Sequence, residues 1–354
     1  MPTLLITGGA GFIGSNLVRY ALAHTADRVV VVDKLTYAGS LLNLEEPRRD
    51  PRVTFVRADI ADAEAVVRVF DEHRPAAVLN LAAETHVDRS IDGPRPFIDT
   101  NIVGTYVLLD TARRFVATLD AAAREAFRFL HVSTDEVYGT LGPSGLFSED
   151  TPYAPNSPYA ASKAASDLLA RSYWKTHGLP VVITNCCNNY GPYQLPEKLI
   201  PLMIANAVEG KPLPVYGQGK QIREWLHVDD HCAGLWRAMT RGARGESYNF
   251  GSGEEMSNLA LVELLADLVD DELSRARGTT RALIKFVVDR KGHDFRYAID
   301  SSKAKRELAW ERSKLLDVKL AETVRWYLAN AAWRQAVASE EHARFQAVHY
   351  PGVR

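Results

Sequence analysis

A nine-residue turn near the N-terminus, 7-TGGAGFIGS-15, constrains what this chain can fold into more than any other stretch. It follows an apolar run, 3-TLLIT-7, and opens a helical pattern over about 12–24. Gly8, Gly11 and Gly14 set a G-x-x-G-x-x-G spacing. Glycine at those steps permits a tight turn, lets backbone approach a pyrophosphate, and packs the helix on the strand. The helix start then offers free N–H groups to the anion. The next strand-like run, 28-RVVVVD-33, ends on Asp33, nineteen residues after Gly14. A carboxylate there accepts hydrogen bonds from an adenosine ribose and repels a 2′-phosphate, which favours NAD over NADP. Strand, turn, helix and acid in this order predict a dinucleotide site rather than a bare turn.

The strand-and-helix rhythm continues. Further short, β-branched runs are 53-VTFVRAD-59, 76-AAVLNLA-82, 127-FRFLHVS-133 and 181-VVITNC-186. They are apolar on both faces, as strands covered on both sides must be. Helical patterns fall at about 62–73, 97–117 and 158–176. This alternation predicts an α/β, Rossmann-type doubly wound parallel sheet. Asp59 and Ile60 close the third strand and can meet an adenine. Leu81, Ala82 and Ala83 close the fourth with side chains small enough for close approach. After Gly191 prolines punctuate the chain, with short strand-like runs at 213-LPVYG-217, 246-ESYNF-250 and 284-IKFVV-288. We expect an NAD-binding domain over 1–191. Over 192–330 we expect mainly a smaller C-terminal α/β lobe for substrate, with the chain able to cross back to the first domain. A tail of 331–354 follows. Ligands of open α/β sheets sit beyond the C-terminal strand ends, where such a lobe would close.

Composition narrows the partners. Of 354 residues, 46% are hydrophobic and 24% charged, and the net charge is −2. A near-neutral chain gives no electrostatic reason to expect nucleic acid or an anionic membrane. No apolar run approaches the roughly 18 residues of a membrane span, and no signal peptide precedes the first strand. Cys186, Cys187 and Cys232 lack the spacing of a zinc site or a CxxC motif. They read as reduced thiols of a cytoplasmic protein, with no metal.

Two motifs carry chemistry. In 159-YAASK-163, Tyr159 and Lys163 are four apart and share a helix face. A free tyrosine with a pKa of about 10 is a poor base at neutral pH. A lysine ammonium nearby favours the phenolate, making Tyr159 a candidate base for an alcohol proton. In 133-STDEVYG-139 a hydroxyl, Thr134, precedes two carboxylates, Asp135 and Glu136, at a strand's end. The bland reading of the pair is that it caps the following turn.

The glycine turn, the Asp33 strand end and the Tyr159/Lys163 pair together resemble the extended short-chain dehydrogenase/reductase family, whose members with a C-terminal lobe usually act on nucleotide sugars. The likeness is closest to its nucleotide-sugar 4,6-dehydratases. It rests on 84-ETHVDRSI-91, 133-STDEVYG-139, 159-YAASKA-164, 188-NNYGPYQLPEKLIP-201, 223-REWLHVDDH-231 and 289-DRKGHDFRYAID-300. The resemblance implies NAD-dependent dehydration of dTDP-glucose to a 4-keto-6-deoxy sugar. Oxidation at C4 makes the C5 proton acidic, water leaves across C5–C6, and reduction at C6 restores the cofactor. It implies Tyr159 as base at the C4 hydroxyl with Thr134 bonded to that oxygen, Asp135 as acid at C6 and Glu136 as base at C5. The two acids must then titrate differently. Phe12, Ile13, Lys34, Leu35, Thr36 and Thr100 complete the expected cofactor contacts.

For the sugar nucleotide the resemblance implies Thr85, Asn188, Glu197, Lys198, Leu199, Pro214, Tyr216, Arg223, Asn258, Arg290 and His293. Arg223 and Arg290 suit a diphosphate, which a planar fork grips with two bonds. His86 and Asp88 can order the loop rather than touch substrate. The family often has Arg where this chain has Asn185, and Ser where it has Cys187. The 97–117 and 158–176 helices carry apolar stripes beyond what one sheet face needs, and the resemblance implies that they pair across a two-fold as a four-helix bundle, so we expect a homodimer, with a monomer as the alternative. Competing readings are a UDP-glucose 4,6-dehydratase, a 4-epimerase, which has no use for the adjacent acid pair, and a non-catalytic NAD-binding regulator.

Overall fold

The computed structural model describes residues 1–289 and 293–338. Seven strands form one sheet in the order β10-β6-β5-β4-β1-β2-β3. They are β1 (Thr3–Thr7), β2 (Arg28–Asp33), β3 (Val53–Arg57), β4 (Ala77–Asn80), β5 (Arg128–Thr134), β6 (Val181–Cys186) and β10 (Ser247–Phe250). Every neighbouring pair is parallel. The order reverses direction between β1 and β4, and the cleft opens at the C-terminal ends of those strands.

Both faces of the sheet are buried because its side chains alternate. Leu4 and Ile6 join one core with the helices Phe12–His24 and Val228–Arg241, while Leu5 and Val30 join the other with Ala63–His73 and Thr105–Ala117. A third core, centred on Tyr190, Leu261 and Tyr327, belongs to the C-terminal lobe. That lobe carries a three-stranded sheet, β11-β9-β7, and a two-stranded one, β12-β8. Here β7 is Asn188–Tyr190, β8 Leu213–Tyr216, β9 Ile222–His227, β11 Glu255–Ser257 and β12 Ile284–Val287.

Two expectations change. The 246–250 run, read with the lobe, pairs with β6 as the edge strand of the main sheet, so the chain returns to the first domain after β9. The helix expected over 97–117 is not continuous: Ile98–Gly104 is a π-helical stretch before Thr105–Ala117. The wider turn has a local cause. Asn101, buried, accepts from Glu84 N at 2.9 Å and donates to Glu84 O at 3.0 Å and Ser162 Oγ at 2.8 Å. Thr100, also buried, accepts from Lys34 Nζ at 2.8 Å. Such bulges mark places where a helix re-aims side chains.

Candidate active site

The cofactor turn is closed by backbone on all sides. A Cβ on Gly8, whose φ is +68°, would stand 2.6 Å from Ala82 N, and one on Gly14 would collide with the Gly8 carbonyl. Only glycine permits this crossing. Gly11 is the N-cap of Phe12–His24 and makes no side-chain cap bond, so the helix start is left for an anion. At the end of β2 the Asp33 carboxylate accepts from Ala10 N at 3.0 Å and Leu35 N at 2.8 Å. A Cβ on Gly39 would press on Asp33 Oδ1 at 2.8 Å, so that glycine lets the next loop close over the acid. An uncapped helix start and an acid at the second strand's end fit a dinucleotide.

The cleft above this turn has a volume of about 280 Å³. Gly8, Gly11, Phe12, Ile13, Gly14, Asp33, Lys34, Thr36, Asp59, Ile60, Leu81, Ala82, Ala83, Thr100, Tyr159 and Lys163 all line it, as do Thr85, Thr134, Asp135, Glu136, Asn188 and Lys198. Leu35 does not: at φ +60° its side chain faces a second cavity behind the loop. Lys198 Nζ donates to Thr85 O at 3.2 Å, tying the lobe to the β4 exit.

The remaining nucleotide-sugar candidates among the described residues are not on the cleft walls. Glu197 is buried, with Arg89 Nη2 at 3.1 Å and His86 Nε2 at 3.8 Å, and Leu199 opens the helix behind it. Pro214 and Tyr216 lie on β8, where Tyr216 meets the His293 ring edge-on and His293 Nδ1 lies 2.7 Å from Asp289 Oδ1. Asn258 starts a helix beside them, its N–H on Gln221 O. Arg223, buried, stacks on Tyr297 and donates to the carbonyls of Ile222, Phe295 and Asp294. Arg290 lies outside the described residues.

The catalytic candidates converge at the end of β5. Thr134, rather than either acid, caps the 3₁₀ turn Asp135–Tyr138 by accepting from Glu136 N at 3.3 Å, and it donates to Asp135 Oδ1 at 3.3 Å. Asp135 is 1% exposed, and its Oδ2 has no hydrogen-bond partner. Burial, then the Glu136 and Glu224 carboxylates, hold its carboxyl well above the usual range, with Arg223 opposing. A raised pKa favours the protonated form, from which the carboxyl can donate.

Tyr159 differs from expectation. Burial, and then Glu136, push its phenol well above its ordinary value, with the Thr134 hydroxyl pulling it back. Lys163 Nζ donates to Val132 O at 2.8 Å, and burial lowers its own pKa. The desolvated wall outweighs the lysine that the spacing alone suggested.

Several residues of the site were missed by sequence reading. Tyr37 lines the cleft with Glu84, carries Arg89 over its ring at 4.0 Å, and is pushed up by burial and by Glu84. Asn189, Gln194 and Leu195 line it from the lobe. The T-Y-A-G turn after Asp33 and the position of Glu84 directly after Leu81-Ala82-Ala83 were available signals. Asn185, the departure from the family pattern, donates to Thr134 O at 3.1 Å and reaches Asp167 Oδ2 at 3.4 Å.

A protein-family model described as GDP-mannose 4,6 dehydratase matches residues 5–323. The chain is 54% identical over 338 residues to dTDP-glucose 4,6-dehydratase of Xanthomonas campestris pv. campestris (strain B100), covering 95% of this chain and 96% of that one. It is 50% identical over 358 residues to dTDP-glucose 4,6-dehydratase of Shigella flexneri, covering 99% of each. The crystal structure of DesIV, dTDP-glucose 4,6-dehydratase from Streptomyces venezuelae with NAD and TYD bound, superimposes with a TM-score of 0.85 at 47% identity, over 95% of this chain and 99% of that one. UDP-glucose 4-epimerase from Thermotoga maritima, with UDP-glucose, gives 0.81 at 27% identity, over 93% and 99%.

Proposed function

This chain belongs to the GDP-mannose 4,6 dehydratase family, and from that membership we infer its reaction. It is an NAD-dependent hydro-lyase that converts dTDP-glucose to dTDP-4-keto-6-deoxyglucose. The observation that carries the reading is Asp135, a carboxyl buried at the end of β5 beside the Glu136 carboxylate, which with burial raises its pKa.

Bound NAD supplies the hydride acceptor, the hydride donor and a positive ring, held by the Gly8–Gly14 turn, Asp33, Lys34, Thr36, Thr100 and the strand ends at Asp59–Ile60 and Leu81–Ala83. Tyr159 takes the C4 hydroxyl proton while the Thr134 hydroxyl holds that oxygen. With C4 a ketone, Glu136 removes the C5 proton. Asp135 gives its proton to the C6 hydroxyl, which leaves as water, and uptake of a hydride at C6 with return of a proton to C5 gives the 4-keto-6-deoxy product. Thr85, Asn188 and Lys198 hold the sugar end of the substrate, and Arg223 and Arg290 its diphosphate. Glu197, Leu199, Pro214, Tyr216, Asn258 and His293 complete the lobe's side.

A homodimer fits the apolar residues left exposed on the paired helices: Ile98, Val103 and Tyr106 on one, and Leu168 on the other. A cytoplasmic site fits three free, buried cysteines. Among the described residues no helix is long and apolar enough to cross a membrane.

The test is mass spectrometry of dTDP-glucose incubated with purified protein and no added NAD. Loss of one water is expected. An unchanged mass that persists with added NAD, while UDP-glucose loses water, would move the substrate to UDP-glucose. Unchanged mass for both would sink the dehydratase reading.

A further inference from the structure

Three consecutive residues lead β5 into the acid pair, and each is pinned from behind. Val132 O accepts from Lys163 Nζ at 2.8 Å, Ser133 Oγ donates to Asp167 Oδ2 at 2.7 Å, and Thr134 O accepts from Asn185 Nδ2 at 3.1 Å. Lys163 and Asp167 lie four apart on the helix Pro158–His177, so they share a face, and both are buried.

Asp167 gathers the most contacts. Its Oδ2 also accepts from Tyr153 OH at 3.1 Å, and His131 Nε2 lies 3.2 Å from its Oδ1. On the other side of that ring, Asn80 Nδ2 lies 3.2 Å from His131 Nδ1. The amide assigns Nδ1 as acceptor and leaves the hydrogen on Nε2, which faces both Ser166 Oγ at 3.1 Å and Asp167 Oδ1. Asn80 Oδ1 accepts from Thr7 Oγ1 at 2.7 Å, and Thr7 Oγ1 accepts from Ala82 N at 3.3 Å. One line of bonds thus runs under the sheet's C-terminal ends, from the cofactor turn to the acids. A carboxylate with no solvent exposure is costly unless charge and hydrogen bonds offset it.

We propose that Asp167 is a positioning residue for the dehydration: it fixes the end of β5 that carries Asp135 and Glu136, and it supplies the buried counter-charge to the Lys163 ammonium. The groups facing Asp167 are Lys163 on its own helix, His131 on β5, Asn185 on β6, and Tyr138 and Tyr153 from the segment after the acid pair. Those facing Lys163 are Asp167, His131 and the Cys186 thiol. The Asp167 carboxylate opposes the loss of the lysine's charge on burial. The proposal rests on the 4,6-dehydratase reading.

Asp167→Asn removes the charge and keeps an acceptor for Ser133, while Ser133→Ala removes one bond and keeps the charge. Displacing reacting groups by a small distance can cost about 10²-fold. Asp167→Asn is therefore expected to lower kcat by about that factor, with KM for dTDP-glucose and NAD content unchanged. Its alkaline limb, which Asp135 and Lys163 both set, should move to lower pH as Lys163 loses the nearby negative charge. Ser133→Ala should lower kcat less and leave the limb in place. A parental kcat and parental limb in Asp167→Asn overturns the proposal, as does a kcat loss that tracks lost NAD or lost folded protein. Where Asp167→Asn does not fold, a Ser133→Ala, Tyr153→Phe double variant decides, and unchanged kcat there also overturns it. An unmodified enzyme that removes no water from dTDP-glucose would instead defeat the underlying reading.

Discussion

Trp333 donates its indole N–H to the Asn43 side-chain oxygen at 2.9 Å across 290 residues of sequence. Asn43 passes the contact on, donating through Nδ2 to Ala10 O at 2.8 Å, and Ala10 N reaches Asp33 Oδ2 at 3.0 Å. Ser40 N meets the same Ala10 carbonyl at 3.0 Å. The indole packs edge-on against Tyr193 and Trp326. A C-terminal helix, Ala331–Val337, is thereby fastened to the turn and loop around Asp33, where we propose the adenosine end of the cofactor binds.

Trp333→Phe keeps the ring and removes the N–H, leaving Asn43 Oδ1 without its donor. Stranding a buried polar group costs about 1–3 kcal/mol, and each ~1.4 kcal/mol is tenfold in an equilibrium. NAD should leave the variant about tenfold faster on dialysis, with KM for dTDP-glucose unchanged. Equal release rates in the two proteins would show that the helix only packs there.

The acid pair gives a second prediction, with two signs to check. Asp135 acts as the protonated form, so dehydration should fall as pH rises through its elevated folded-state value. Glu136→Gln and Asp135→Asn should each keep NAD and lose about 10²–10⁴-fold in kcat, the usual worth of a placed acid or base. Stability runs the same way. In the unfolded chain Asp135 ionises near its ordinary value, whereas the folded chain holds the proton longer. The folded state thus binds more protons between those values, and stability is lost as pH rises through them. Asp135→Asn, inactive, should therefore melt at a higher temperature than its parent at pH 7.5. A lower melting temperature contradicts the raised pKa.

What the sequence made legible follows from chain locality. Gly8, Gly14 and Asp33 belong to one strand-turn-helix-strand unit, whose spacing alone sets their geometry. Tyr159 and Lys163 share a helix face for the same reason. Asn101 was not legible, because its bonds to Glu84 and Ser162 join a π turn, a loop and another helix, and no periodicity marks a π turn. The placement of 246–250 failed because a four-residue edge strand reads alike in either sheet, and only its pairing with β6 distinguishes them. Asn185 was read as a lost positive charge. The structure shows the carboxylate that an arginine there would face, Asp167, met instead by an amide, two hydroxyls and an imidazole.

Asn101 carries a third prediction. Asn101→Ala strands the Glu84 N–H and carbonyl in a buried setting, costing on the order of 3 kcal/mol. It also frees the turn that presents Thr100 to Lys34. The melting temperature should drop and NAD should bind more weakly. Asn101→Asp, which retains the acceptor for Glu84 N, should recover part of the loss. Identical losses in both variants would refute a role for that hydrogen bond.

His231 supplies the last prediction, away from the site. It is fully buried on the helix Val228–Arg241, tilted against Phe250, and neither ring nitrogen has a hydrogen-bond partner among the described residues. Burial alone lowers its pKa from 6.5 to about 3. Between those values the unfolded chain binds a proton that the folded chain refuses, so stability falls as pH drops, by up to about 1.4 kcal/mol per pH unit. Above the unfolded value that penalty is absent, and what remains is the cost of two buried nitrogens without partners. His231→Leu replaces the ring with an apolar side chain and removes both effects. It should raise the melting temperature modestly at pH 7.5 and more at pH 5, so that the difference between the two proteins widens as the solution is acidified. A constant difference across that range would mean the imidazole takes up its proton in the fold as readily as in the unfolded chain, and a variant less stable than its parent at pH 5 would mean the ring has a partner that stabilises it.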